Sequence, residues 1–597
     1  MLPVRTSAHR IKDRNSQILV NARIGKVQGK RLSSWVRIAR LVNSSSLSSP
    51  PSCISPVNKA RPMSDPESSR RQLGLFSATA AVIATMIGAG IFGATDDFAT
   101  SLGSDFSVLL VWFFCGLLAL TGALSFGELG SMMPRAGGVY IFMRHIYGPT
   151  VGYLTGVLTS LLGFVGAIAY IALLLGHHVQ QFLPGCPVWL SACVATVGFS
   201  LLHCLALRES TRVNNAFTVF KVAVIVVFIV AGFMVSGTAK PPPEISQPGL
   251  FDFGNAMILA SFAYLGWETT TYIGSELKNP NRTLPYSLLI GTAVVTALYL
   301  LLNAVFLRAM HPMEMTEDGV GLQAAQRLFG PVISTWFNWM IIIVLLSTIS
   351  TVTMVGGRIL QSMARAGQLP AGLVRRNRHD APANAILAQG AVTLIFILIA
   401  SSTDRAAYLG EKLRPDPDGA RINHVMDGSP AKAAGLQAED LITQLGTNKV
   451  TSNADLRKLL GEKSAGDIIP LMVKRGQKTR EVKVTLGSTG GKNQSGNILN
   501  FIGLPITIIM GAAVVGVFLM RRREPGRERP FRVPLYPFTP MLFILLAVMM
   551  VASSIDHEPM VALYSAITIL VVWALKPALA WEGEKAPESE SGADNGE

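Results

Sequence analysis

Residues 74–98 read GLFSATAAVIATMIGAGIFGATDDF, an apolar run with three glycines near its middle. About 20 residues of helix cross the roughly 30 Å hydrocarbon core of a bilayer. The glycines form the pattern G-x-G-x-x-G, but a dinucleotide site needs a preceding strand and an acid about 20 residues later, and the residue at 113 is Phe. Glycines inside a span indicate either close helix packing or an unwound break whose backbone groups meet a ligand. We favour the break.

Similar apolar runs recur along the 597 residues, of which 50% are hydrophobic and 15% charged. A cleaved signal peptide does not explain runs throughout the chain, and their length and uniformity favour helices over barrel strands. The sequence therefore predicts an all-α polytopic membrane protein with twelve transmembrane helices. They are expected at residues 74–98, 107–127, 148–176, 188–207, 216–236, 254–275, 286–307, 331–356, 384–402, 498–519, 537–554 and 560–577.

Positive charge predicts the orientation of these helices. The short loops on the side of the N-terminus contain seventeen Lys or Arg, and the short loops on the opposite side contain three. Because Lys and Arg accumulate on the cytoplasmic side, we expect both termini in the cytoplasm and the protein in the cytoplasmic (inner) membrane. Of the net charge of +15, residues 1–62 carry +11, so the remainder is nearly balanced and a nucleic-acid partner is not indicated.

The two ends of the chain are predicted to be disordered. Residues 1–70 form a basic segment poor in acids, and residues 581–597 form an acidic tail. Met63 begins a Met-Ser-Asp-Pro-Glu stretch shortly before the first span and is an alternative start of translation. Residues 71–402 are expected to hold transporter helices 1–9, and residues 498–580 helices 10–12.

The loop between the ninth and tenth spans, residues 403–490, is polar and has a turn chemistry unlike the rest of the chain. Alternating apolar residues predict strands at 421–425, 441–445, 469–474 and 481–486, and helical patterns lie at 430–434 and 454–460. This is expected to be a small β-rich domain inserted into the membrane protein, on the extracytoplasmic (periplasmic) side.

A second interrupted span supports the interpretation of the first. The sixth run contains SFAYLGWE at 261–268, five spans after the glycines. Corresponding broken helices in two halves indicate inverted repeats with a binding site between them. A zwitterion suits such a pair, since helix N-termini attract a carboxylate and C-terminal carbonyls attract an ammonium. The alternative is that the aromatic residues here only pack; the role of Glu268 stays open.

Several motifs then resemble one family. They are GAGIFG at 88–93, ELGSMMPRAGG at 128–138, RESTRVNN at 208–215, YLGW at 264–267 with ELKNP at 276–280, MARAGQLP at 363–370 and RPFRVP at 529–534. In order and spacing they are similar to the amino acid-polyamine-organocation (APC) superfamily of permeases, over residues 70–400 and 498–580. The resemblance implies amino acid transport by alternating access and a LeuT-like five-plus-five inverted repeat with two extra helices.

The resemblance also implies the substrate-binding residues. The first broken helix would meet the substrate carboxylate, and the second would offer carbonyls to the amine and an aromatic gate. The expected residues are Ile87, Gly88, Ala89, Gly90 and Ile91 in the first, and Phe262, Ala263, Tyr264 and Gly266 in the second.

Lys221 is the candidate for ion coupling, because it lies about five residues inside the fifth span, where charge is costly and usually functional. The alternative is a lysine that extends to the nearby interface. Lys221 resembles the lysine that takes the place of a sodium ion in sodium-independent members of the family. A proton symporter and an amino-acid exchanger, with a counter-transported amino acid as partner, both remain open.

The inserted domain resembles a PDZ domain of the bacterial HtrA type over residues 408–487. Such domains add a peptide to a sheet edge and hold its terminal carboxylate on backbone N–H groups, which the resemblance places at Tyr408, Leu409 and Gly410. Glu439 stands where that family usually has Gly, and residues 446–448 form an altered turn. A peptide C-terminus is the expected partner, and a spacer role is the alternative.

Other function classes are less favoured. An intramembrane protease needs His-Glu-x-x-His, and the one His-Glu here, at 557–558, is followed by Val561. No cysteine spacing indicates a disulfide framework or metal site, so we expect no enzyme, no cofactor and no metal. A transporter-derived sensor that reads envelope peptides is the alternative to transport.

Overall fold

The computed structural model describes residues 71–579 except 89, 206, 238–248, 316–318, 380, 404–406, 417–418, 426–428, 462, 464–465, 477, 489–494 and 558. The predicted disordered segments at 1–70 and 581–597 lie outside the described residues. The described part is mostly helical. Its α-helices are α1 Leu75–Met86, α2 Gly90–Leu102, α3 Asp105–Met132, α4 Val139–Tyr147, α5 Pro149–Leu158, α6 Ala167–Gln180, α7 Val188–Leu202, α8 Leu207–Met234, α9 Leu250–Tyr264, α10 Thr269–Tyr272, α11 Pro280–Ala309, α12 Val320–Phe329, α13 Pro331–Arg365, α14 Ala383–Thr403, α15 Pro430–Ala433, α16 Asn453–Gly461, α17 Ser495–Arg523, α18 Phe538–His557, α19 Pro559–Ala574 and α20 Lys576–Leu579.

Eight helical segments in the described residues are long and apolar enough to cross a membrane, and α1, α7 and α19 are shorter apolar helices. The helices confirm a polytopic, mostly helical membrane protein. Each of the twelve predicted stretches contains helix, while the count of twelve spans stays a prediction. Two helices were not predicted: α4 follows the second stretch, and α12 precedes the eighth.

Burial separates a central helix from peripheral ones. In α13 the most apolar window is 89% buried, whereas the corresponding windows of α8 and α14 are 33% buried. The exposed side chains of these peripheral helices include Val227 and Ile399, at 66% and 57% exposure. Large apolar side chains at the protein surface are expected where lipid is the solvent, because lipid tails are as apolar as the side chains themselves.

Three irregular segments interrupt the membrane helices. The first separates the end of α1 at Met86 from the start of α2 at Gly90, and the second separates α9 from α10 at residues 265–268. The third is a π-helical segment, Thr159–Gly166, which joins α5 to α6. Wider helical turns of this kind are frequently found at functional sites.

Two buried acids near helix ends are satisfied by arginines. Glu276 lies 2.8 Å and 3.0 Å from two nitrogens of Arg358, and Glu128 lies 2.9 Å and 2.6 Å from two nitrogens of Arg521. Both carboxylates are buried. Each ion pair joins helices far apart in sequence, and breaking a buried pair of this kind is strongly destabilising.

The segment between α14 and α17 forms a β-rich domain with its own apolar core. Its strands are β1 Ala407–Tyr408, β2 Glu411–Asp416, β3 Gly419–Val425, β4 Leu441–Leu445, β5 Asn448–Lys449, β6 Ile468–Arg475, β7 Lys478–Thr485 and β8 Gly487–Ser488. One antiparallel sheet has the order β2-β3-β4-β6-β7 with β5 on β4, and β1 pairs with β8. The four predicted strands and both predicted helices are present; β1, β2, β5 and β8 were not predicted.

Candidate functional site

The first interruption follows directly from α1. Ile87 leaves the helix with ψ 92°, and α2 begins at Gly90. Gly88 lies against α13, where a Cβ atom on Gly88 would be 3.2 Å from the Thr348 methyl group. Ala89 lies outside the described residues. The interruption leaves the C-terminal carbonyls of α1 without their helical partners.

Lys221 on α8 donates hydrogen bonds to these carbonyls. Its Nζ lies 3.0 Å from the Ala84 carbonyl oxygen, 2.9 Å from that of Ile87 and 3.4 Å from Thr348 Oγ1. Three oxygen acceptors match the three N–H donors of an ammonium group, and the end of a helix dipole favours a positive charge. The side chain is 0% exposed, so it does not extend to the protein surface.

The second interruption, at residues 265–268, lies within the predicted stretch 261–268. Phe262, Ala263 and Tyr264 are the last residues of α9, and the chain leaves the helix at Leu265 with ψ 137°. Gly266 has φ +104°, a conformation that favours glycine. A Cβ atom on Gly266 would lie 2.4 Å from the Thr85 methyl group, so α1 approaches closely at this point.

Some carbonyls predicted to meet an amine already accept a hydrogen bond. The Phe262 oxygen accepts from the Leu265 N–H at 3.2 Å. The Tyr299 hydroxyl lies 3.0 Å from the Ala263 oxygen and 2.7 Å from the Met86 oxygen, so it joins the ends of α1 and α9. Each carbonyl oxygen has two lone pairs, and a second acceptor position therefore remains at Phe262 and Ala263.

The two interruptions contact each other. A Cβ atom on Gly90 would lie 2.7 Å from Ala263 Cα and 2.8 Å from Ala263 Cβ. This is closer than side chains ordinarily pack, so only glycine fits between the start of α2 and the end of α9. The sequence-predicted residues of the two broken helices are thereby brought together.

A cavity lies between the interruptions and is partly open to solvent. Five of the predicted residues line it: Gly88, Gly90, Phe262, Ala263 and Gly266. The other lining residues are Thr85, Met86, Thr159, Gly163, Phe164, Ala167, Ile171, Leu265, Glu268, Thr269, Tyr272, Thr348, Val352, Ile506 and Met510.

Three predicted substrate residues are buried in packing and are not among the cavity-lining residues. Ile87 and Ile91 are both 0% exposed. Tyr264 donates a hydrogen bond to the Trp112 carbonyl at 2.9 Å, and its ring packs between Trp112 and Tyr299. An aromatic gate at Tyr264 would require this contact to break.

The cavity also contains polar groups for which the sequence predicted no role in binding. The hydroxyls of Thr159 and Tyr272 and the Oε2 atom of Glu268 are buried and have no hydrogen-bond partner among the described residues. Thr159 belongs to the π-helical segment of the third span. The small and polar residues Thr155, Ser160 and Gly163 in that span were the available signal.

In the inserted domain, the predicted peptide-binding residues lie at one end of β2. Tyr408 pairs with Gly487 in the β1–β8 ladder, Leu409 is buried in the domain core, and Gly410 has φ +84°. The Leu409 carbonyl accepts a hydrogen bond from the Ala431 N–H at 2.8 Å. β2 pairs with β3 alone and is therefore an edge strand of the larger sheet.

These features define a multi-pass membrane protein with a cavity between two interrupted helices. The family described as "Amino acid permease" matches residues 73–575. The chain therefore belongs to the amino acid permease family.

The curated relatives agree with this family. The b(0,+)-type amino acid transporter 1 of Homo sapiens is 30% identical over 346 residues, 55% of this chain and 70% of that protein. The large neutral amino acids transporter small subunit 2 of Mus musculus is 27% identical over 391 residues, 62% of this chain and 73% of that protein. These relatives are amino acid transporters and not enzymes, which confirms the prediction that the chain is not an enzyme.

Proposed function

We propose that this permease is a secondary transporter that moves amino acids by alternating access without sodium, as a proton symporter or an exchanger. The observation that carries the proposal is the contact between two interrupted helices that line one cavity. The interruptions lie five predicted spans apart, as expected for twelve helices built on a five-plus-five inverted repeat. Such repeats place the substrate at their interface.

The helix ends suit a zwitterionic substrate. The first N–H groups of α2, from Gly90 onward, have no intrahelical partner and favour a carboxylate. The carbonyls at the end of α9 favour an ammonium. We therefore assign the carboxylate to residues 87–91 and the amine to residues 262–266, with Ala263 at the point where the two helices meet.

Lys221 supports sodium independence. Its ammonium already fills a position surrounded by two backbone carbonyls and one hydroxyl, at 2.9–3.4 Å. Oxygen atoms in this arrangement are also the ligands that a hard cation prefers. A positive charge at the end of α1 would stabilise the interrupted helix without a bound metal ion.

Uptake into proteoliposomes tests this proposal. The purified protein is reconstituted, and a panel of radiolabelled amino acids is supplied with external sodium, potassium or choline. We expect uptake above protein-free liposomes for at least one amino acid, at equal rates in all three salts. Uptake that stops when sodium is replaced by choline would refute sodium independence.

We also propose that the inserted domain is PDZ-like and binds a peptide C-terminus outside the cytoplasm, with both chain termini in the cytoplasm. The support is the edge position of β2 beside α16, together with Gly410 in a left-handed conformation where the carboxylate-binding turn is expected. A peptide would add to β2 through main-chain hydrogen bonds. A carboxylate would meet the N–H groups of Tyr408, Leu409 and Gly410.

Peptide binding to the full-length protein distinguishes this role from a spacer. A fluorescent library of C-terminal peptides is screened against detergent-solubilised protein, and every hit is repeated with its C-terminus amidated. We expect binding that is lost on amidation and in Gly410→Val, because valine disfavours the positive φ. Failure of all free-carboxylate peptides to bind would favour the spacer.

A further inference from the structure

Glu268 differs from every other described residue that lines the cavity. The lining includes no Lys, Arg or His and no second acid among the described residues. The side chain is 7% exposed, and its Oε2 atom has no hydrogen-bond partner in the described part of the chain. The other buried acids described above, Glu128 and Glu276, are each paired with an arginine.

The second interruption aims Glu268 into the cavity. Trp267, the preceding residue, packs outside the cavity-lining residues. The centroid of its ring lies 4.8 Å from that of Phe126 and 6.1 Å from that of Phe543. Glu268 then caps the N-terminus of α10, and its carbonyl accepts hydrogen bonds from Thr271. The backbone is thus fixed on both sides of the carboxylate, so its position is built into the fold.

Two unpartnered hydroxyls line the same cavity. Tyr272 is four residues after Glu268, at the end of α10, and both residues line the cavity. Thr159 belongs to the π-helical segment, and its hydroxyl does not bond to the preceding turn as those of Thr121 and Thr196 do. One carboxylate oxygen and two hydroxyls therefore lack hydrogen-bond partners among the described residues that line this cavity.

An unpaired carboxylate inside a membrane protein is costly, and buried charges are normally paired. The missing partner is a cation, and the cavity is where it would enter. We propose that Glu268, with Tyr272 and Thr159, binds the cationic side chain of the substrate, so that the transporter prefers dibasic amino acids to neutral ones of the same shape. This proposal rests on the proposed amino acid transport.

The test compares ligands that differ in one charged group. Lysine and norleucine have the same backbone and differ at the side-chain ammonium; arginine and citrulline form a second pair. Each competes with radiolabelled lysine for binding to full-length protein in detergent, and ligand-induced thermal stabilisation provides a second readout. We expect wild type to prefer the cationic member of each pair by about 10- to 100-fold, the range for a hydrogen bond to a charged group.

Variants then assign the preference to Glu268. In Glu268→Gln the cationic-to-neutral ratio should fall towards one, and Glu268→Asp, which keeps the charge, should retain part of it. Glu524→Gln is the matched control, because Glu524 pairs with His145 and Arg527 outside the cavity-lining residues. A cationic-to-neutral ratio near one in wild type overturns the proposal. An unchanged ratio in Glu268→Gln also overturns it, and is the result expected if the carboxyl group only holds a proton.

The outcomes separate this proposal from the proposed function. If wild type binds and transports norleucine and lysine equally well, the proposed cation site is refuted and amino acid transport is supported. If no amino acid is bound or transported, the proposed function fails. Cadaverine has the two amines of lysine and no carboxylate, so it distinguishes an amino acid from a free diamine as the ligand. Weak competition by cadaverine supports an amino acid side chain at the site. Competition equal to that of lysine supports a free diamine and overturns the amino acid assignment.

Discussion

Replacing Gly90 by alanine tests whether the two interrupted helices must touch. The new Cβ atom would lie 2.7 Å from Ala263 Cα, whereas ordinary contacts are 3.4–4 Å, and the obstructing atoms belong to the backbone and Cβ of the neighbouring helix. α2 and α9 would therefore have to separate by about 1 Å at this point. Overpacking of this kind costs roughly 1–3 kcal/mol. If the cost falls on the state in which the helices meet, the population of that state drops by roughly 5- to 150-fold.

The assay is initial-rate amino acid uptake together with the thermal midpoint of the purified variant. Gly198→Ala is the matched control, because Gly198 lies inside α7 with no atom within 4 Å of the added methyl group. Alanine is favoured over glycine by about 1 kcal/mol within a helix, so the control should be neutral or slightly more stable. Wild-type uptake and stability in Gly90→Ala would show that the helices need not approach so closely.

Three further substitutions test the rest of the fold. Arg358→Ala should lower the free energy of unfolding by about 3–5 kcal/mol, because it leaves buried Glu276 unpaired. Replacement of both residues by Met should recover most of this loss. Thermal denaturation measures both variants. Glu439 has φ +73°, a conformation that glycine adopts without strain. Glu439→Gly should therefore stabilise the inserted domain by about 1 kcal/mol and slow its hydrogen exchange. Faster exchange in this variant would contradict the prediction. Burial raises the pKa of Asp440, but hydrogen bonds from Arg475 and the Gln437 N–H hold the pKa below its ordinary value. The stabilisation by the Asp440 carboxylate is complete above the unfolded-state pKa and is lost as the pH falls through the lowered native pKa. In wild type, the protection of β6 from hydrogen exchange should therefore decrease in this acid range, and Asp440→Asn should remove this pH dependence. The same pH dependence in Asp440→Asn as in wild type would refute the prediction.

The first interruption was predictable because glycines in a long apolar run have few other uses. The second lies within the predicted stretch 261–268. The motif at 261–268 does not show where the helix ends, because Phe262 and Tyr264 are equally suited to helix and to a break. Only the packing of Gly266 against Thr85 and its positive φ locate the end of α9.

Other features had a weaker sequence signal. The small and polar residues of the third span indicated a polar face there, but no residue pattern marks the π-helical segment that contains Thr159. Strand β2 was missed because Glu411–Asp416 contains charges and a proline instead of alternating apolar residues. In contrast β4, β6 and β7 were found, since alternation reports burial of one face of a sheet.

The environment of Lys221 was also beyond the sequence. Its depth in the span was consistent with a side chain that extends to the interface and with one that is buried. The distances of 2.9–3.0 Å to the Ala84 and Ile87 oxygens decide for burial, because they join α8 to the end of α1. Those contacts exist only when α1 is interrupted, so the lysine and the break depend on each other.

The most direct test of the central claim is amino acid uptake by wild type and Lys221→Ala in proteoliposomes, with and without a proton gradient and with and without internal amino acid. We predict uptake by wild type that is driven by the gradient or by internal amino acid, and its loss in Lys221→Ala in the folded, reconstituted protein. Absence of uptake of any amino acid by correctly inserted wild type would contradict transport and favour a sensor. Full uptake by Lys221→Ala would contradict the role of the lysine.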